Sequence, residues 1–146
     1  MKPVTYSLQF RGQAEELAPG LRKHGWAPGC ALVTKLTLDG LEACHVWAAD
    51  EDEALLESIL VFTSRNRFRE DATITFARGH TLRLRGRGQL AGSVDPDLRH
   101  GTVVLEVAGG AGRFAGATGR VTSNFFLSAT GDLTENQLVV IFAKPC

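Results

Sequence analysis

The sequence predicts an all-β chain that folds as a single closed antiparallel β-barrel of about eight strands. Segments in which apolar and polar residues alternate, or in which β-branched residues dominate, recur along nearly the whole chain and are bounded by Gly, Asp or Asn. Consecutive antiparallel strands in this number leave exposed edges unless the sheet closes on itself. A barrel of this size has an interior that side chains fill or that admits one small ligand.

The strand signals have definite positions along the chain. We predict strands near residues 3–11, 30–38, 41–49, 57–69, 71–77, 81–91, 101–108, 119–130 and 133–143. Two stretches differ: residues 13–29 predict a short helical turn before a loop rich in Pro and Gly, and the acidic residues 50–56 predict another turn. No linker or change of composition divides the 146 residues, so we expect one domain over residues 1–146.

The first hairpin is predicted from its turn. Asp39-Gly40 is a strong signal for a two-residue type I′ turn, and it sets Leu38 opposite Leu41 and Thr34 opposite His45. A one-residue slip would send every side chain to the other face of the sheet. One mainly apolar face then carries Leu32, Thr34, Leu36, Leu38, Leu41, Ala43, His45 and Trp47.

Two later hairpins follow from the same kind of pattern. A three-residue loop at residues 78–80 pairs Phe76 with Leu82 and Ile74 with Leu84. A turn at Gly131-Asp132 makes both faces of the final hairpin substantially apolar, so we expect its outer face to be buried in a homodimer or homotrimer. One face carries Val121, Phe125, Leu138, Val140 and Phe142, and the other carries Thr122, Asn124, Phe126, Gln137, Val139 and Ile141.

Composition argues against several classes of partner. The 16 basic and 16 acidic residues give no net charge, so we expect no nucleic acid and no anionic membrane as partner. The first 25 residues contain no continuous apolar run, which argues against a signal peptide or membrane helix and favours a cytoplasmic location. Cys30, Cys44 and Cys146 lack metal-ligand spacing, so we expect reduced thiols and no metal site.

Arginines recur at every second position in two predicted strands and therefore share a face within each strand. They resemble a patch for an acidic ligand, but Glu70, Asp71 and the neutral total charge favour a solvated outer face with cross-strand pairs. The arginines concerned are Arg65, Arg67, Arg69, Arg83, Arg85 and Arg87.

The most distinctive motif is the glycine-rich segment Gly109–Gly119. Its spacing is wrong for a dinucleotide or phosphate loop, no Lys follows, and the next segment predicts a strand, so we interpret it as a turn anchored by Phe114. The pattern Gly-Gly-x-Gly-x-Phe-x-x-Ala-x-Gly resembles the signature loop of allene oxide cyclase-like and dirigent-like barrels. Within that superfamily the chain resembles a bacterial member. With the strand before it and the hairpin after it, the resemblance covers about the last third of the chain.

The resemblance implies a calycin-like antiparallel barrel with a mainly apolar pocket, no cofactor and frequent self-association. Bacterial relatives include cyclases of natural product biosynthesis, so the implied function is a cofactor-independent cyclase or isomerase of polyketide-type metabolism. Such an enzyme mainly pre-organises an apolar small molecule. The alternatives are a non-catalytic carrier or sensor of a hydrophobic ligand, and a structural or stress-associated barrel. No catalytic residue of the plant cyclases matches a motif here, so none is carried over.

His45 is the predicted catalytic residue, because it is the one histidine that projects from an apolar strand face. Burial would keep the imidazole neutral and able to donate or accept a proton, although a silent core histidine would look the same. His80 and His100 lie in predicted loops and are expected to be solvated, whereas His24 lies in a predicted loop with Trp26, in a position to cap a mouth of the barrel. Residues predicted to line a ligand cavity are Tyr6, Thr34, Trp47, Glu106 and Asn124.

Overall fold

The computed structural model describes residues 2–27, 30–37, 40–48, 54–77 and 79–143, with the backbone alone described for residues 30–37 and 40–48 and for Lys2, Val4 and Ala77. Nearly all of these residues are in strands, and one short 3-10 turn, Gly112–Phe114, interrupts them. None of the helical structure in these ranges is long and apolar enough to cross a membrane. The strands are β1 (Lys2–Leu17), β2 (Gly20–Ala27), β3 (Cys30–Thr37), β4 (Gly40–Ala48), β5 (Ala54–Phe62), β6 (Arg67–Ala77), β7 (His80–Gly92), β8 (Leu98–Ala111), β9 (Thr118–Ser128) and β10 (Asp132–Ala143).

Eight of these strands close into a single antiparallel barrel, as the sequence predicted. The order around the barrel is β1, β2, β5, β6, β7, β8, β9 and β10, and β10 pairs with β1 to complete the ring. β1 is long enough to pair with β10 over Lys2–Gln13 and with β2 over Arg11–Leu17. The hairpin of β3 and β4 lies beside the ring and joins β1 through the pair Ser7 and Leu32.

The barrel interior is the hydrophobic core. Strict alternation of buried and exposed residues along β5 and β10 sends every second side chain inward. Burying a large apolar side chain contributes about 1.5–3 kcal/mol, so these residues dominate the stability of the barrel. Those with no exposed surface include Phe10, Leu56, Leu60, Ile74, Leu82, Leu105, Val121, Phe125, Val139 and Ile141.

Gly101 lets one large aromatic ring fit inside the barrel. It lies directly opposite Phe125 in the ladder between β8 and β9. A Cβ atom at Gly101 would be 2.0 Å from Cζ of Phe125, far closer than atoms can approach. The ring therefore occupies the space that any other residue at position 101 would fill.

The structure corrects the strand assignment in the first half of the chain. The helical turn predicted within residues 13–29 is wrong, because Gly20–Ala27 forms β2. The alternation of apolar and polar residues is hidden in β2, because Lys23 and Gly25 occupy inward positions whereas Trp26 lies on the outer face. The turn predicted at residues 50–56 is wrong for residues 54–56, which belong to β5, whereas residues 50–53 lie outside the described residues. The predicted strand 57–69 is also interrupted, by bends at residues 63–66.

Two predicted hairpin registers are wrong by a small shift. In the first hairpin Leu36 lies opposite Leu41, and a bulge before Lys35 sets His45 opposite Val33 instead of Thr34. The turn residue Asp39 lies outside the described residues. In the hairpin of β6 and β7, Ile74 lies opposite Leu82 where Leu84 was predicted. This shift of two residues preserves the faces of the strands, because side chains alternate with a period of two.

The register of the final hairpin also differs from the prediction, and here the shift exchanges the two faces of the hairpin. Leu127 lies opposite Leu133, and the longer connection is held by the backbone N–H of Asp132, which donates to Ser128 Oγ at 2.9 Å. The predicted faces are therefore wrong: Val121 and Phe125 share the interior with Val139 and Ile141. The side chains of Leu138, Val140 and Phe142 lie outside and are 50%, 37% and 42% exposed. The true register also turns Glu135 and Gln137 inward.

Candidate functional site: a charged cluster inside the barrel

The side chain of Lys23 crosses the barrel interior and contacts two carboxyl groups. Its Nζ lies 2.6 Å from Oε1 of Glu135 and 3.0 Å from Oε2 of Glu70, and all three side chains are completely buried. The same ammonium lies 4.1 Å from the centroid of the Phe125 ring, a cation–π contact. Strands β2, β6 and β10 thus place one cation and two acids together in the core.

Glu135 is well supplied with hydrogen-bond donors. Ser123 Oγ donates to its Oε2 at 2.9 Å and Gln137 Nε2 donates to the same atom at 2.7 Å, while Lys23 donates to Oε1. An ionised carboxylate is an acceptor only, and three donors suit it. We therefore interpret Glu135 as the carboxylate that balances the charge of Lys23.

Glu70 has different surroundings. Lys23 Nζ lies 3.0 Å from its Oε2, and a hydrogen bond from the Ser58 hydroxyl also acts on its carboxyl group. Burial raises the pKa of Glu70, Lys23 opposes this increase, and the nearby charge of Glu135 adds to it. The environment therefore favours the neutral acid at Glu70.

The remaining buried polar groups lie near the same centre. Ser58 is directly opposite Lys23 in the ladder between β2 and β5, and its buried hydroxyl interacts with the carboxyl group of Glu70. Burial alone would lower the pKa of Lys23, but Glu135 and Glu70 together raise it, so the amine stays protonated. Because the raised pKa of Glu70 favours its neutral form, it reduces the negative charge that the cluster carries. Its six members are Lys23, Ser58, Glu70, Ser123, Glu135 and Gln137.

An aromatic group lies elsewhere in the barrel wall, next to the glycine-rich loop. Tyr6 packs edge-to-face on Phe76 with ring centroids 5.8 Å apart, and Phe76 contacts Phe114 at 5.0 Å. Phe114 is buried and anchors the loop, as predicted. The hydroxyl of Tyr6 is buried without a hydrogen-bond partner in the described part of the chain, and burial raises its pKa well above the usual value while Arg113 opposes the increase.

The structure places the predicted cavity residues on different sides of the barrel wall. Tyr6 is inside. Glu106 and Asn124 are outside, so their predicted place in a cavity is wrong: Glu106 is 68% exposed and paired with Arg120 at 2.9 Å, and Asn124 contacts His100 at 3.1 Å. The reason is the alternation along β8 and β9, which turns their sequence neighbours inward instead.

The other predicted site residues stay predictions. Thr34 lies in β3, and His45 and Trp47 lie in β4, but their side chains lie outside the described residues. β4 pairs with β3 and is not one of the eight strands of the ring. The catalytic role of His45 therefore has no support from the geometry of the barrel.

Sequence reasoning missed Lys23, Glu70 and Glu135. A usable signal was present in β10, where Glu135 and Gln137 alternate in phase with Leu133, Val139 and Ile141. A charged residue at an inward position of a strand needs a partner, because an unpaired buried charge is very costly. Within the described ranges, no group of three His, Cys, Asp or Glu residues is placed to hold a metal ion.

Comparison with known proteins identifies the class of barrel. No family model and no curated protein matches the chain. A solved structure of a pterocarpan synthase dirigent protein is similar, with a TM-score of 0.54 and 16% identity over 99% of this chain and 97% of that one. Another pterocarpan synthase dirigent protein has a TM-score of 0.51 and 17% identity over 98% of this chain and 92% of that one. These likenesses show a dirigent-like barrel fold.

Proposed function

We propose that this chain is a cofactor-independent cyclase or isomerase that orients an apolar small molecule in the barrel and activates it by proton transfer at Glu70. The observation that carries the proposal is the carboxyl group of Glu70, which is completely buried and lies 3.0 Å from the ammonium of Lys23. A buried carboxyl group whose pKa is raised is a candidate for a general acid. Two proteins with this fold carry the name of a synthase, which supports a reaction on a small molecule.

The proposed step conserves atoms and charge. Glu70 donates its proton to an oxygen of the substrate, and the electron-poor carbon that results is attacked by a double bond of the same molecule. The carboxylate left on Glu70 is stabilised by Lys23, 3.0 Å away. A carbon of the cyclised product then returns a proton to Glu70, so the product is an isomer of the substrate and the enzyme is regenerated.

Stability alone does not account for the cluster. Replacing a buried ion pair with apolar residues of similar volume is often neutral or stabilising, by about 1–4 kcal/mol. A chemical task for Lys23, Glu70 and Glu135 is therefore the more economical explanation of the three charges.

A non-catalytic carrier of a hydrophobic ligand is the second candidate. The observation that favours it is the aromatic group of Tyr6, Phe76 and Phe114, which offers an apolar contact surface without Glu70. A carrier would bind its ligand equally well with or without an acid in the core. The two functions therefore differ in what Glu70 contributes.

Glu70→Gln separates the two candidates, because it keeps the shape of the side chain and removes the acidic proton. Glu57→Gln is the matched control, since Glu57 lies on the outer face of β5 and is 73% exposed. Binding is followed with the neutral dye N-phenyl-1-naphthylamine, and turnover with a panel of apolar polyenes, epoxides and linear polyketide analogues. We expect Glu70→Gln to keep dye binding and to lower the rate of isomer formation by about 10²–10⁴.

Each result decides between the candidates. Equal turnover by Glu70→Gln and the parent would contradict the proposed proton transfer. Dye binding by the parent without conversion of any panel member would favour the carrier. Loss of turnover in both the Glu70 and Glu57 variants would point to a general loss of structure and would also count against the proposal.

We also propose that the chain forms a homodimer or homotrimer through the outer face of β10. Leu138, Val140 and Phe142 follow one another at every second position there, and Val104 on β8 is exposed on the same side of the wall. A row of exposed apolar side chains on a sheet is typical of an interface between identical chains.

A further inference from the structure

The outer face of the barrel has two neighbouring rows of side chains with different charge patterns. In the first row Asp71, Arg85, Glu106 and Arg120 follow one another across β6, β7, β8 and β9. Arg85 Nε lies 2.9 Å from Oδ1 of Asp71, and Arg120 Nη2 lies 2.9 Å from Oε1 of Glu106. Each charge in this row therefore has a partner of opposite sign, as the sequence predicted for the arginines in general.

The second row breaks this rule. Here Val61, Arg69, Arg87 and Val104 follow one another, so two arginines lie directly opposite each other between two valines. Arg67 is two residues from Arg69 and shares its face. In the part of the chain that the structure describes, no ion pair involves Arg67, Arg69 or Arg87. Like charges directly opposite on a sheet are destabilising, so this row has a cost without an internal compensation.

The three arginines surround a groove. A cavity of about 500 Å³ adjoins another of about 340 Å³, and both are lined by Arg69 and Arg87. Asp71 borders the smaller cavity, but one of its carboxylate oxygens is already held by Arg85. The larger cavity is lined by Thr63, Arg67, Phe68, Arg69, Arg87, Gly88 and Gln89.

We propose that this groove binds a phosphate or sulfate group carried by a larger ligand. A guanidinium is a planar fork that binds two oxygens of a tetrahedral anion, and three such forks supply more donors than a carboxylate can accept. Gln89, opposite Arg67, adds a neutral donor beside them. The groove is larger than an inorganic phosphate needs, and Val61, which lines its smaller cavity, offers apolar contact to the rest of the ligand. This site lies on the outer wall and is independent of the chemistry inside the barrel.

Titration with inorganic pyrophosphate at constant ionic strength tests the proposal, with chloride as the reference anion. The test variant is Arg69→Gln/Arg87→Gln, and the control is Arg22→Gln/Arg120→Gln, which removes the same charge from two exposed ion pairs outside the groove. We expect the test variant to weaken pyrophosphate binding at least tenfold and the control to change it less than twofold. The thermal midpoint of the test variant should not fall, because the substitution removes a repulsion.

A second arm identifies the source of the anionic group. Phosphatidylcholine vesicles that contain phosphatidic acid are compared with vesicles of phosphatidylcholine alone, and the same two variants are used. Binding to the acidic vesicles without binding to pyrophosphate supports a lipid headgroup, and the reverse supports a free phosphorylated or sulfated molecule. Absence of binding in both arms, or an equal loss in the test and control variants, overturns the proposal.

Discussion

Replacing Lys23 with methionine is a direct test of the charged cluster. Methionine keeps most of the apolar length of the side chain but removes the ammonium that lies 2.6 Å from Glu135. Without that cation the carboxylate of Glu135 is buried and unbalanced, and the least costly response is to take up a proton. Breaking a buried ion pair by removing one partner typically costs about 3–5 kcal/mol.

The expected magnitude follows from the cost of that proton. An ordinary glutamate has a pKa of about 4.3, and each pH unit is worth about 1.36 kcal/mol, so protonation at pH 7 costs about 3.7 kcal/mol. At pH 5 the same step costs only about 1 kcal/mol. The free energy of unfolding of Lys23→Met should therefore lie about 3.7 kcal/mol below the parent at pH 7 and much closer to it at pH 5.

Urea unfolding at the two pH values measures this difference. Arg22→Met is the matched control, because Arg22 directly precedes Lys23 in β2 and its ion pair with Glu15 is exposed: the side chains of Arg22 and Glu15 are 55% and 64% exposed. It should change stability by about 0.5 kcal/mol or less. Lys23→Met/Glu135→Gln removes both charges and should recover most of the loss. A loss below about 1 kcal/mol at pH 7, or the same loss at both pH values, would refute the buried ion pair.

Three further predictions use other parts of the structure. The folded chain keeps the proton of Glu70 at pH values where the unfolded chain, with an ordinary glutamate pKa of about 4.3, releases it. The contribution of Glu70 to the free energy of unfolding is therefore complete below about pH 4.3 and is lost as pH rises through the higher pKa of the folded state. Glu70→Gln should remove this decrease in stability with pH, as measured by urea unfolding of parent and variant at a series of pH values. Gly101→Ala should destabilise by about 1–3 kcal/mol through its clash with Phe125, whereas Gly92→Ala, in open space, should change little in thermal unfolding. Light scattering should give the parent a molecular mass that is a multiple of 15.7 kDa, and Phe142→Asp should reduce this mass to that of a single chain. A parent that is monomeric at all concentrations would contradict self-association.

The fold class could be predicted because strand patterns are local. Alternation with a period of two is visible in the residues of β5, β8 and β10 without any knowledge of their neighbours. Closure into a barrel then follows from the number of strands and the cost of open edges. β2 escaped prediction because two of its inward positions, Lys23 and Gly25, are not apolar.

The candidate site could not be predicted in the same way. Its position depends on register, and a turn only one or three residues longer exchanges the two faces of a hairpin. The sequence analysis grouped Leu138 and Phe142 with Val121 and Phe125 on one face of the final hairpin, and it did not recognise Glu135 as an inward residue. It also placed Glu106 and Asn124 in a cavity, although their ladders turn both side chains to the outer wall.

The sequence by itself determined that this chain is made of antiparallel strands, that they close into a barrel and that Phe114 anchors the glycine-rich loop. Only the tertiary structure decided which faces point inward and which charges meet. Lys23 and Glu135 are 112 residues apart, and each would be costly in the core without the other. A local pattern shows only that a charged residue occupies a strand position, whereas the partner that makes its burial possible comes from a distant strand.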